Sequence, residues 1–152
     1  MPGDFQYLDD SGIVVTTYWG TISLIDILET ISQRVGEMPV HRAKASIIDV
    51  SQAKWTDAPP NFVHKNVAQL RPALAPPRVR TIIVAPSEFF YGFGRMYALM
   101  HVIFGAANVD VARSWSEASR MLGMNLAPAE RLSRERAKRD ESEIATMKIG
   151  RA

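Results

Sequence analysis

Hydrophobic and polar positions alternate along the chain in blocks of two kinds. Two β-rich runs, 5–8 and 13–19, flank a polar turn cluster at 9–12, and this arrangement predicts an antiparallel hairpin. Two further runs, 45–50 and 79–85, are apolar and rich in β-branched residues, as is typical of strands buried on both faces of a parallel sheet. The sheet is therefore predicted to be mixed and mostly parallel, with an antiparallel edge.

Helical periodicity occurs between these runs. Apolar residues recur at helical spacing in 24–31 and in 63–74, and residues 88–104 form the longest predicted helix. A last strand is predicted at 108–113, and a brief helix follows it through Leu122. The resulting order, β-β-α-β-α-β-α-β-α plus a tail helix, predicts an α/β layer fold.

The short helix near the end carries its own boundary signals. Ser114 or Ser116 can cap its start, because a serine hydroxyl accepts a hydrogen bond from a free backbone amide of the first turn. Gly123 is expected to end it.

The chain divides into residues 1–124, predicted to be one domain, and residues 125–152, predicted to be a charged helical tail. Residues 1–127 hold 11 basic and 11 acidic side chains, so the net charge of +2 lies in the last 25 residues, with 7 basic and 5 acidic. The tail lacks a sustained apolar stripe, so it must pack loosely, pack on a partner or be a mobile extension. Its run RLSRERAKRD is interpreted as a solvated helix rather than a polyanion-binding arm.

Composition narrows the class of protein. The 152 residues are 47% hydrophobic and 22% charged, enough apolar material for a real core, and they include no cysteine. No signal peptide and no run of about 20 apolar residues is present, so we expect a cytoplasmic protein without membrane insertion. A neutral globular part offers no concentrated basic face, which argues against a nucleic-acid partner.

Three segments carry a resemblance to a known family. They are GIVVTTYWGTISLIDILETI, KASIIDVSQAKWTDAPP and VRTIIVAPSEFFYGFGRMYALM. With the element order, they resemble the STAS / SpoIIAA-like superfamily over residues 4–123, and within it small bacterial stand-alone STAS/SEC14-like proteins of unassigned function. The resemblance implies a SpoIIAA-like fold and a non-catalytic regulatory module that binds protein.

The resemblance also implies where the regulatory loop lies. In STAS regulators a serine that follows an Asp at the start of the second helix is phosphorylated by a partner kinase. Asp57 matches that Asp, but Ala58 and Pro59 occupy the serine positions, so the usual phosphoacceptor is missing. The SEC14 side of the resemblance implies an alternative, a small apolar-ligand or lipid-binding protein.

A partner-binding loop is predicted after the third strand. Its candidate residues are Ser51, Trp55, Thr56 and Asp57. Trp55 can serve as an exposed aromatic anchor for a protein partner, or it can cap the core from above. Asp57 also has a purely structural interpretation as the cap of the following helix.

The longest helix contributes a second candidate surface. Its apolar residues spread around the helix: Phe89, Phe93 and Met96 begin one stripe, while Phe90 and Tyr97 lie off it. We therefore predict either a homodimer surface or an apolar pocket, formed by Phe90, Phe93, Gly94 and Tyr97.

The two glycines of this helix, Gly92 and Gly94, have a shared interpretation. Each costs about 1 kcal/mol relative to alanine inside a helix, and that cost is tolerable where another backbone or a ligand comes near. Both are therefore expected to mark close approach.

The sequence gives little support for a catalytic site or a metal site. A hydrolase would use Ser51, Asp57 and His64, but Ser51 lacks a Gly-x-Ser-x-Gly elbow. Asp57 and His64 would lie about two helical turns, or ~10 Å, apart. His41, His64 and His101 are widely spread without carboxylates at ligand spacing. We therefore expect no enzyme activity, no cofactor and no metal site.

Overall fold

The computed structural model describes most of the sheet and its covering helices. Predictions for Asp57, His41, His64 and the helix over 63–74 fall outside the described residues. The described residues are 3–23, 26–27, 29–30, 33, 43–56, 79–103 and 108–149.

Five strands form one mixed sheet, and the predicted α/β class is confirmed. The strands are β1 (Gly3–Leu8), β2 (Ile13–Ile22), β3 (Ala45–Trp55), β4 (Arg80–Val84) and β5 (Val109–Ala112). Their spatial order equals their chain order, with β1 antiparallel to β2 and every later neighbour parallel. The carboxyl ends of β2 to β5 therefore lie at one edge of the sheet.

Three helices have defined bounds in the described part of the chain: α1 (Glu88–Ile103), α2 (Trp115–Leu122) and α3 (Ala127–Ile149). Of the two predicted caps for α2, Ser114 is the one used, because its side chain accepts from the Glu117 amide at 3.1 Å. Gly123 ends α2 at φ 63°, a left-handed conformation that glycine adopts without strain. Residues 26, 27, 29, 30 and 33 are also helical, in line with the predicted first helix.

Strand β3 continues to Trp55, beyond the apolar run that predicts it. Between the pairs Thr17 with Asp49 and Trp19 with Gln52, β3 holds two residues and β2 holds one, so β3 contains a β-bulge. Side chains alternate between the faces of a strand, and the extra residue therefore reverses the face that each later side chain of β3 occupies.

Helix α1 covers one face of the sheet, here called the α1 face. Phe90 and Tyr97 point inward and are 4% and 8% exposed. Phe89, which begins the predicted stripe, is 39% exposed. A Cβ on Gly94 would lie 3.1 Å from a methyl group of Val111 on β5, which confirms close approach at Gly94.

The same prediction is wrong for Gly92. A Cβ there would meet nothing within 4 Å. Gly92 lies two residues before Gly94, and positions two apart do not share a helix face, so only one of them meets the sheet.

Helices α2 and α3 lie on the opposite face, here called the α3 face. Ala129, Ser133 and Ala137 are spaced four residues apart along α3, and all three are buried. Positions four apart share one side of a helix, so a stripe of small side chains lies on the buried side of α3, which contacts β2. The opposite side of α3 carries exposed Arg131 and Arg139, which fits the interpretation of a solvated, charged surface.

Candidate functional site

The bulge in β3 divides the predicted partner-binding loop between the two faces. Ser51 lies in β3, and its side chain is on the α3 face. There its hydroxyl donates a hydrogen bond to Asp49 Oδ1 at 2.6 Å. Trp55 also lies in β3, but it packs with the cluster on the α1 face. Thr56 follows the strand and donates its amide to the Ile22 carbonyl at 3.0 Å, while Asp57 lies outside the described residues. The structure therefore places Ser51 and Trp55 in different surroundings.

Trp55 joins three phenylalanines of α1. Its ring centroid lies 5.8 Å from that of Phe89, 6.2 Å from Phe90 and 5.2 Å from Phe93. Tilted and edge-on contacts at such distances add about 0.5–1.5 kcal/mol per pair beyond burial. Trp55 and Phe93 are half-buried and Phe89 is exposed. We call Trp55, Phe89 and Phe93 the aromatic platform.

An apolar cavity lies beneath this platform, between α1 and the sheet. Its volume is about 50 Å³, room for a few atoms. Phe90, Phe93 and Tyr97, three of the four residues predicted for a dimer surface or apolar pocket, line it, while Gly94 packs beside it against Val111 and Ile83. The other lining residues are Tyr18, Ile27, Ile48, Val50 and Ile83.

The α3 face carries a buried polar cluster instead, here called the Asp49 network. The two carboxylate oxygens of Asp49 divide their partners, since Oδ1 accepts from the amide and hydroxyl of Ser51 and Oδ2 accepts from the Ser133 hydroxyl at 2.7 Å. Ser133 and Thr17 also bond through their hydroxyls at 2.6 Å. These hydrogen bonds join α3 to β2 and β3. They are buried, since Ser133 is only 1% exposed.

Arg136, three residues after Ser133, makes two further contacts between α3 and the sheet. The Arg136 Nε donates to Asp4 Oδ2 on β1 at 2.6 Å, and the guanidinium carbon lies 4.7 Å from the centroid of the Trp19 ring. Both partners lie on the sheet, so this arginine ties the middle of α3 to strands β1 and β2.

A groove of about 930 Å³ opens where the strands end on the α3 face. It is bounded by the ends of β4 and β5, by Ser51 and Gln52 within β3, and by one side each of α2 and α3. Among the described residues, three arginines, Arg113, Arg120 and Arg134, line it together with one carboxylate, Glu130. We call it the basic groove.

Two of these arginines are already paired. Arg113 contacts Glu88 at 2.6 Å and lies 3.7 Å from the centroid of the Tyr91 ring, and Arg134 contacts Glu130 at 2.6 Å. The hydrogen bond and the charge of Arg113 lower the pKa of the Glu88 carboxyl below its ordinary value. The same hydrogen bond raises the pKa of Arg113.

Metal sites, membrane-spanning helices and matches to known proteins were also considered. Across the described ranges, no three His, Asp or Glu side chains gather in a way that could hold a metal ion. None of the helices in the described part of the chain is long and apolar enough to cross a membrane. No model of a known protein family matches the chain, and no curated protein matches it.

Sequence reasoning missed Ser133 and the basic groove. For Ser133 a signal exists, because Ala129, Ser133 and Ala137 repeat every four residues among long charged side chains. The groove offers no comparable signal. Its arginines come from the end of β5, from α2 and from α3, and only packing brings them to one cavity.

Proposed function

We propose that the chain is a non-catalytic protein-interaction module of the STAS type that binds its protein partner through the aromatic platform. The observation that carries the proposal is the cluster of Trp55, Phe89 and Phe93, held by a strand and a helix and open to solvent at Phe89. Rigid aromatic side chains at a surface are the commonest anchors of protein interfaces. A SpoIIAA-like layer fold belongs to the same proposal.

The proposed module differs from phosphorylation-switched relatives in its chemistry. Ala58 and Pro59 carry no hydroxyl, so neither can accept a phosphate. Binding at the platform is therefore expected to proceed without phosphorylation of that loop, and to depend on apolar contact.

The test uses affinity capture from the cells that naturally express the chain. Wild type, Trp55→Ala and a control, Lys54→Ala, serve as baits; Lys54 is an exposed neighbour of Trp55 on β3 that is not part of the platform. We expect wild type and the control to enrich the same protein, and Trp55→Ala to lose it by about tenfold or more, as an anchor worth at least about 1.4 kcal/mol requires. Equal enrichment by all three baits rejects the platform as the docking site.

A homodimer along α1 is part of the proposal, with its contact on the outer side of the helix. Phe90, Gly94 and Tyr97 pack inward, whereas Leu99 and Val102 are both 58% exposed one turn apart. Light scattering at high micromolar concentration should give twice the monomer mass for wild type and the monomer mass for Leu99→Asp. A monomeric wild type removes the dimer.

The entirely apolar lining of the cavity favours a second candidate, a carrier of a small apolar molecule or lipid. Its 50 Å³ is well below the roughly 150 Å³ that holds benzene in an apolar protein cavity, so α1 would have to move outward to admit a ligand. Native mass spectrometry of the purified chain separates the candidates, because a co-purifying apolar molecule supports the carrier.

A further inference from the structure

The basic groove opens at one end of the sheet. It lies at the carboxyl ends of β4 and β5, beside Val84 and Arg113, and at Ser51, four residues before the end of β3. Its 930 Å³ is at the upper end of the range of pockets that enclose drug-sized molecules. The groove is on the opposite face from the aromatic platform.

Charge in the groove is mostly positive. Among the residues that the structure describes, three arginines and one glutamate line it, and Glu88 is paired with Arg113, which gives a formal sum of +1 (three minus two). Arg120 is the only one of these arginines without an ion pair among the residues that the structure describes. The pair of Arg113 and Glu88 is exposed, and exposed ion pairs contribute little, so this guanidinium can turn to a stronger anion. Arg134 is exposed as well, although only 29% of the side chain of its partner Glu130 is exposed.

Hydrogen-bond donors are placed beside these charges. Ser116 and Arg120 lie four residues apart on α2 and therefore share one side of that helix, facing the groove. Arginine forks match phosphate and carboxylate oxygens with two parallel hydrogen bonds. Asn125, two residues before α3, also lines the groove, and its Oδ1 accepts a hydrogen bond from the Ala127 amide.

We propose that the basic groove binds a small organic phosphate of about nucleotide size. Arg120, Arg134 and Arg113 bind the phosphate oxygens, and Trp115, Met124 and Leu126 contact the organic part. An inorganic ion alone would leave most of the groove unfilled. This site is independent of the proposed function, since it shares no residue with the platform.

Isothermal titration of the full chain tests this with adenosine 5′-monophosphate, glucose 6-phosphate, pyrophosphate and uncharged adenosine. The variants are Arg120→Gln and a matched control, Arg131→Gln, an exposed arginine of α3 that lies outside the groove. We expect at least one phosphate ester to bind and adenosine to bind far more weakly. Arg120→Gln should weaken binding about tenfold or more, as the loss of a charge-assisted hydrogen bond implies, while Arg131→Gln stays within about twofold.

Each other outcome counts against the site. Absence of heat with every phosphate at low-millimolar concentration overturns it. Equal weakening by the two substitutions indicates unspecific attraction to a basic surface and overturns it as well. Pyrophosphate binding without ester binding rejects the organic phosphate. Both arginines are exposed, so thermal melts of the two variants should match that of wild type. The titrations do not involve the protein partner of the aromatic platform, so a failure of the proposed function would leave their results unchanged.

Discussion

The two faces of the sheet are covered by helices in opposite ways. On the α1 face, aromatic and branched side chains fill the interface, and one glycine lets the helix reach Val111. On the α3 face, α3 meets β2 with small side chains, and its position depends on the Asp49 network and on Arg136. Helix α1 is held by non-directional apolar packing, whereas α3 is held by directional hydrogen bonds.

This difference has a physical cause in the two sequences. Helix α1 brings large apolar residues, whose burial stabilises by roughly 1.5–3 kcal/mol each. Helix α3 brings alanine and serine, which bury little area but allow its backbone to come close to the strands. Hydrogen bonds then fix its register, because a shift of one residue would separate the Ser133 hydroxyl from Oδ2 of Asp49 and from Thr17.

The largest expected effect is on the α1 face, where Phe90→Ala is compared with Phe89→Ala. Phe90 is 4% and Phe89 39% exposed, although both rings contact Trp55. Phe90→Ala should lower the free energy of unfolding by about 3–5 kcal/mol because it leaves a cavity, and Phe89→Ala by about 1 kcal/mol. Urea denaturation measures both. Equal losses would show that the inward direction of α1 is misassigned.

Removal of Asp49 tests the α3 face. Asp49→Ala leaves the hydroxyls of Ser51 and Ser133 without their acceptor, so the free energy of unfolding should fall by about 2–3 kcal/mol. The control is Asp110→Ala, which removes an exposed partner of Arg80 and should cost less than about 1 kcal/mol. Hydrogen exchange should also quicken in α3 for Asp49→Ala, and unchanged exchange there contradicts its role as an anchor of this helix.

The two glycines of α1 sharpen the comparison on a smaller scale. Gly92→Ala should stabilise the protein by roughly 0.5–1 kcal/mol, because alanine favours helix and its Cβ meets open space. Gly94→Ala gains the same propensity but presses a methyl group against Val111 on β5. We expect the free energies of unfolding of the two variants, measured in urea, to differ by about 1 kcal/mol or more. Equal stabilisation would mean that α1 is not in close contact at Gly94.

The smallest effect concerns the exposed pair of Glu88 and Arg113. Arg113 lowers the pKa of Glu88 in the folded state, so the pair contributes stability above the unfolded pKa of the carboxyl. That contribution is lost as the pH falls through the lowered folded pKa. Thermal melts of wild type and Glu88→Gln should therefore differ slightly at neutral pH and converge in acid. A difference that grows as the pH falls has the wrong sign.

The bulge in β3 explains why one stretch of sequence supplies both faces. Without it, Ser51 and Trp55 would occupy the same side of the strand, since they are separated by an even number of residues. With it, Ser51 joins the Asp49 network and Trp55 joins the aromatic platform. The residues predicted to form one partner-binding loop are thus divided between two surfaces.

Local chemistry determined much of this protein in advance. The α/β class, the hairpin, the starts of β2 and β3 and the boundaries of α2 follow from alternation, periodicity and capping, which depend on residues near one another in the chain. Tertiary structure alone decided the bulge, the inward side of α1, the packing of α3 and the gathering of three arginines in one groove. Each of these depends on which distant segment lies opposite, and no local pattern records that partner.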